Sequence, residues 1–332
     1  MSTGATIFGC SGPVLTGQEA AFFRQADPWG FILFARNVEA PAQLSALCDA
    51  LRGTVGREAP ILVDQEGGRV QRLRPPHWRD WPPALEQAAQ VGARGMYLRA
   101  RIMAHELHAV GIDANCAPLA DIAGADTHPF LRNRCYGTTP GTVISSARAT
   151  AEGLLAGGVL PVLKHLPGHG RATVDSHLDL PRVTAPLDEL RRTDFAAFRA
   201  LADLPLGMTA HIVFDALDPD APATQSAASM ACIRDEIGFG GLVMTDDLSM
   251  RALRGTVAER AARSLAAGCD VILHCNGDLP EMEAVAGAAG QLSAGAATRA
   301  GWALAARRAP DAADIPALEA ELAVLSGQAA HG

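Results

Sequence analysis

The sequence predicts an α/β fold, a (β/α)8 barrel (TIM barrel) built as a single domain from 332 residues. Eight short apolar runs recur along the chain, stretches with helical spacing separate them, and charged residues gather where the runs end. Continuous apolar strands alternating with amphipathic helices imply a parallel sheet covered by helices. Eight such units in more than about 250 residues fit a closed barrel better than an open doubly wound sheet.

In chain order the runs are ATIFGC (5–10), GFILFA (30–35), PILVD (60–64), IDANCA (112–117), LPVLKH (160–165), PLGMTAH (205–211), GLVMTD (241–246) and CDVILHC (269–275). Apolar residues return every three or four positions over 43–51, 88–110, 143–155, 187–201 and 257–267, which predicts helices there. The barrel is expected over about 4–280, and 281–332 reads as a helical tail rich in Ala, Gly, Leu and Glu. Within that tail DAADIPALEAELAVL (311–325) has the pattern of a capped helix, with Asp311 or Asp314 at the N-cap.

Composition excludes several functions. A formal charge of −8 argues against a polyanion-binding face, so nucleic acid is not an expected partner. No apolar run reaches the roughly 18 residues of a membrane span, and the first residues lack a basic segment followed by an apolar one. The chain is therefore expected to be soluble and cytoplasmic, with no membrane partner. Seven cysteines are scattered without a C-x-x-C pair, which indicates small buried hydrophobes rather than a disulfide framework or zinc knuckle.

Active sites of such barrels lie at the C-terminal ends of the strands. Asp64 ends the third run, Lys164 and His165 the fifth, His211 the sixth, and Asp246 with Asp247 the seventh. The densest constellation is KHLPGHGRATVDSHLDLP (164–181), with a leading lysine, three histidines and two aspartates. Pro167, Gly168 and Gly170 enforce a loop, and a long histidine-rich loop leaving a strand signals function.

Together with GFILFARN (30–37), ILVDQEGGRVQRL (61–73), MTAHIVFDALD (208–218) and GFGGLVMTDDLSM (238–250), this loop resembles the single-domain β-N-acetylhexosaminidases of glycoside hydrolase family 3. The resemblance spans almost the whole chain and rests on K-H-x-P-G-H-G, D-S-H and D-D-L-S-M in that order. It implies hydrolysis of terminal β-linked N-acetylglucosamine, typically from muropeptide fragments in peptidoglycan recycling, with retention and with no metal or other cofactor. The chain departs from the family pattern at Leu166, where Phe is usual, at Cys135 and Tyr136 in the arginine motif, and at Thr245, where Ser is common. Each change keeps approximate size or polarity and bears on substrate preference more than on the reaction.

A retaining glycosidase needs a carboxylate that attacks the anomeric carbon and a second group that protonates the leaving oxygen and then deprotonates water. Asp246, at the end of a buried strand, suits the nucleophile, and the resemblance places the family's nucleophile there. Asp247 reads as a cap for the following turn. Too little chain follows the barrel for a second core, so the proton donor comes from a barrel loop. His177 fits, with Asp175 orienting its ring, and the resemblance makes this Asp-x-His pair the acid/base dyad. A histidine can also be neutral when an anion approaches, which leaves phosphate beside water as acceptor.

Asp64 is the leading candidate to grip distal sugar hydroxyls, and by resemblance Arg72, Arg134, Lys164 and His165 complete that substrate pocket. Arg69 is an alternative to Arg72. His211 belongs either to the pocket or to the core, His169 shapes the loop, and His77, Trp78 and Trp81 form either an aglycone wall or local packing. Two rival readings differ in kind. One is a metal-dependent barrel hydrolase holding zinc on His165, His169, Asp175 and His177, against which stand the spacing and the adjacent Lys164. The other is a non-catalytic sugar-binding barrel, which would need neither nucleophile nor acid/base.

Overall fold

The computed structural model describes residues 3–174 and 180–327. Eight parallel strands form its barrel: β1 (Gly4–Phe8), β2 (Pro28–Leu33), β3 (Ile61–Val63), β4 (Ala114–Asn115), β5 (Leu160–Leu166), β6 (Leu206–Thr209), β7 (Leu242–Met244) and β8 (Ile272–His274). Neighbours in sequence are neighbours in space, β8 pairs with β1, and a parallel bridge between Met244 and Val271 brings β7 against the last strand. All eight coincide with the apolar runs.

Both faces of the sheet are buried, which is why the runs are continuous rather than alternating. Ile7, Ile32, Leu62, Val162, Leu242, Met244 and Leu273 fill the barrel interior. Their neighbours Phe8, Phe31, Leu33, Ile61, Val63, Leu163, Val243 and Ile272 face the helices. Side chains on a strand alternate with a period of two, so the interior row, carried two residues further, fixes what faces the top of the barrel.

The main covering helices are α1 (Gly17–Ala26), α2 (Pro41–Val55), α3 (Ala84–His108), α4 (Pro140–Ala156), α5 (Val257–Ala267), α6 (Leu279–Ala289), α7 (Ala294–Ala305) and α8 (Ile315–Leu325). The expected helix over 187–201 is instead two short ones, Leu187–Arg192 and Asp194–Arg199, separated by Thr193 at φ −118° and ψ −88°. Helix α3 is interrupted at Gly92, whose φ of 60° no helix accommodates. Of the two N-cap candidates for α8, Asp314 caps it through the Ala317 amide (3.1 Å), while Asp311 pairs with Arg101 of α3. Helix α8 lies across α3, tied by Arg94 to Glu321 at 2.7 Å.

All seven cysteines are buried and unpaired. Trp78 and Trp81 belong to the core beneath the helices rather than to an aglycone wall, Trp81 donating to Glu106 (3.4 Å). No helix among the described residues is long and apolar enough to cross a membrane.

Candidate active site

A cavity of about 390 Å³ opens at the C-terminal ends of the strands, a size suited to a small ligand. The period-two rule supplies the strand-borne part of its wall. Phe34, Asp64, Lys164, Asp246 and Cys275 each stand two residues beyond an interior residue, and all five line it. His165 breaks the alternation and lines the cavity beside Lys164, because β5 shifts register between Leu163 and Leu166. Arg72 and Arg134 arrive from loops, so the five expected binding residues and Asp246 come together in one place. Arg69 lines it too, its guanidinium 3.1 Å from the centre of the Phe130 ring. Asp175 and His177 lie outside the described residues.

A larger groove of about 1220 Å³ runs between the ends of α1, α2 and α6 at the opposite foot of the barrel. None of the expected site residues lines it, and strand-end chemistry places the active site at the other end.

The loop after β3 is built to deliver an arginine. Asn115 of β4 accepts from the Gln65 amide (3.0 Å) and donates to its carbonyl (2.9 Å). The Gln65 side-chain oxygen in turn accepts from the amides of Arg72 (2.9 Å) and Leu73 (3.1 Å). Gly67, at φ 106°, makes the tight turn between them, and a Cβ there would stand 2.7 Å from the Pro82 carbonyl. Held this way, Arg72 donates to Asp64 at 2.9 Å.

Charge is arranged as a chain across the cavity. Lys164, only 2 % exposed, lies 3.1 Å from Asp64 and 2.7 Å from Glu66, and Glu66 takes Arg134 through two bonds of 2.8 Å. Burial alone would raise the Asp64 carboxyl, but Lys164 and Arg72 outweigh it and hold the group well below the usual carboxylate range. Glu66 is lowered in the same way, burial being overcome by Arg134 and Lys164. Sequence reasoning missed Glu66; the signal was three expected pocket cations, Arg72, Arg134 and Lys164, against a single recognised carboxylate.

Asp246 is different. Among the described residues it forms no ion pair with Lys or Arg, and one oxygen accepts from the Asp247 amide at 2.8 Å. Burial works against its ionisation, yet the imidazoles of His211 and His165, that amide and Lys164 keep its carboxyl below the ordinary range. Asp247 caps the next turn through the Ser249 amide (3.1 Å) and holds the Cys275 amide (3.1 Å). This fixes the end of β7 against the end of β8.

His211 does not reach the cavity. It follows Thr209 in the outward-facing register, bonds Thr224 through Nδ1 (2.8 Å) and donates from Nε2 to the Asp247 carbonyl (3.0 Å). Asp121, also missed from sequence, is a buried hub after β4. It accepts from His165 Nδ1 (2.7 Å) and the His169 amide (2.6 Å), which fixes the His165 tautomer. Among the described residues no group of three His, Cys, Asp or Glu side chains is arranged to hold a metal ion.

A parallel barrel with a carboxylate at one strand end that has no Lys or Arg partner among the described residues, facing a neutralised carboxylate–cation chain across a sugar-sized cavity, defines a glycosidase-type site. The family model for the glycosyl hydrolase family 3 N-terminal domain matches residues 18–309. A β-hexosaminidase of Alkalilimnicola ehrlichii is 38% identical over 288 residues, 83% of this chain and 82% of that protein. One from Methylococcus capsulatus is 38% identical over 278 residues, covering 81% and 82%. The crystal structure of NagZ from Neisseria gonorrhoeae in complex with N-trifluoroacetyl-D-glucosamine superposes with a TM-score of 0.85 at 30% identity, covering 99% of both chains. The chain belongs to glycoside hydrolase family 3.

Proposed function

We propose that this family 3 β-N-acetylhexosaminidase removes terminal β-linked N-acetylglucosamine with retention, through a covalent glycosyl-enzyme on Asp246. The observation that carries this reading is the pairing pattern of the cavity. Asp64 and Glu66 are neutralised by bound cations, whereas Asp246 remains ionised with no cationic side chain bonded to it among the described residues. Strand β7 stands four places from β3 in a ring of eight, so Asp246 and Asp64 face each other across the barrel. A sugar between them puts its anomeric carbon at Asp246 and its distal hydroxyls at Asp64, Lys164 and Arg72.

In the first step an Asp246 oxygen bonds to the anomeric carbon while the glycosidic C–O bond breaks and the His177 imidazolium gives its proton to the leaving oxygen. In the second, neutral His177 takes a proton from water as that oxygen attacks the same carbon and Asp246 leaves. Asp175 orients the ring. The family resemblance of the D-S-H motif supports this assignment. Muropeptide fragments of peptidoglycan recycling are the substrates proposed. Seven unpaired cysteines support a reducing, cytoplasmic setting.

His177→Ala is expected to lower turnover by roughly 10²- to 10⁴-fold on a substrate with a poor leaving group. An activated aryl leaving group needs little protonation and should recover the glycosylation step; steady-state rates on the two substrates check this, and equal losses on both would remove His177 from the role. Asp64→Ala should raise KM, with roughly 10-fold or more lost in kcat/KM through the unmatched hydroxyl contact, while the pH profile of the residual activity stays in place.

A further inference from the structure

We propose that His169 is a sugar-contacting residue that hydrogen-bonds a polar substituent on the C2–C3 edge of the bound sugar. The inference rests on the reading that puts the anomeric carbon at Asp246, and it adds a contact that this reading does not assign.

The His169 ring is buried and lines the cavity, yet neither of its nitrogens has a hydrogen-bond partner among the described residues. Buried polar atoms are nearly always matched, so an unmatched imidazole in a ligand cavity calls for a partner from the ligand. The ring is held in place. Its backbone amide donates to Asp121 at 2.6 Å, and it meets the His165 ring edge-on with centroids 5.2 Å apart. Burial and the neighbouring His165 push its pKa down to about 3, so it stays neutral and offers one N–H and one bare nitrogen. An acetamido group and a hydroxyl each match that donor–acceptor pair.

The barrel says which edge of the sugar it meets. With Asp64 on β3 and Asp246 on β7 at opposite ends, β5 flanks one side of the sugar and β8, β1 and β2 the other. The β5 side presents Lys164, His165 and His169 beside Met208 of β6, while Ile32, Phe34, Leu273 and Cys275 line the other with no ionised group. A pyranose has the same asymmetry: C2 and C3 carry the acetamido and hydroxyl groups, whereas the ring-oxygen edge is poorer in donors. The polar edge therefore faces β5. The ionisable neighbours of His169 are His165, Asp121, Asp246 and Arg134, with Asp246 rather than Asp64 among them, which sets it toward the Asp246 half of the cavity, beside C2 and C3.

The test uses His169→Phe and His169→Gln with three aryl β-glycosides: the N-acetylglucosaminide, its 3-deoxy analogue and the 2-deoxy sugar. On the first substrate His169→Phe is expected to lose roughly 10- to 100-fold in kcat/KM, mostly through KM, and His169→Gln, which keeps a donor and an acceptor, should recover part of that. The loss should vanish on the analogue lacking the partner group, the 3-deoxy sugar for a hydroxyl contact or the 2-deoxy sugar for an acetamido contact. An unchanged kcat/KM in a folded variant, or an equal loss on all three substrates, overturns the proposal. Should His169→Phe not fold, His169→Gln on the same three substrates is decisive by the same pattern. A wild-type enzyme that leaves the N-acetylglucosaminide intact refutes the catalytic reading itself, whereas an active wild type with an indifferent His169 refutes only this contact.

Discussion

Replacing Asp246 by asparagine is expected to lower kcat by on the order of 10⁴-fold or more, because the amide cannot form the glycosyl ester on which both chemical steps depend. The substitution is nearly isosteric, and the Asp247 amide that donates to Asp246 still finds a carbonyl oxygen, so the thermal unfolding midpoint should change little. The same variant separates the chemistry from a metal hydrolase, whose activity would fall with a chelator instead. The carboxyl of Asp246 is held below the ordinary range. It stays ionised through the whole working range, and the acid limb of the wild-type pH–rate profile should not belong to it. Measuring kcat from pH 4 to 8 in wild type and in His177→Ala tests this: a limb on either side should disappear with the histidine, and an acid limb that persists without it would contradict the claim.

The second large effect is on stability. Lys164→Met keeps the buried stem but removes the charge that Asp64 and Glu66 share at 3.1 and 2.7 Å. Breaking a buried ion pair from one side costs about 3–5 kcal/mol. Here Arg72 and Arg134 still hold one carboxylate each, so a loss near 3 kcal/mol is expected in urea unfolding at pH 7. The sign of the pH dependence follows from the lowered carboxyls. Their stabilisation is complete at neutral pH and is lost as pH falls through and below the ordinary carboxylate range near 4. The gap between wild type and variant should therefore narrow toward pH 3. A gap that widens on acidification would mean that Lys164 does not neutralise this pair.

The strand positions were legible because a sheet buried on both faces leaves few polar residues to interrupt its runs. The same arithmetic places the site: Asp64, Lys164 and Asp246 stand two residues beyond Leu62, Val162 and Met244, whose side chains fill the barrel. It also explains His211, which is one residue out of that phase and turns to Thr224. Less legible was whatever depends on loops. The register shift that brings His165 beside Lys164 has no pattern in LPVLKHL, and Glu66 and Asp121 act through partners far away in sequence, Arg134 and His165. The break at Thr193 was hidden because the apolar spacing continues through it, Leu190, Phe195 and Phe198 all being buried.

The most direct test is to incubate the enzyme with a slowly released 5-fluoro N-acetylglucosaminide, digest it, and locate the added sugar by mass spectrometry. One sugar per chain, on the peptide containing Asp246 and absent from Asp246→Asn, is the expected result. A turning-over enzyme that never carries the sugar, or carries it on another residue, would contradict the account.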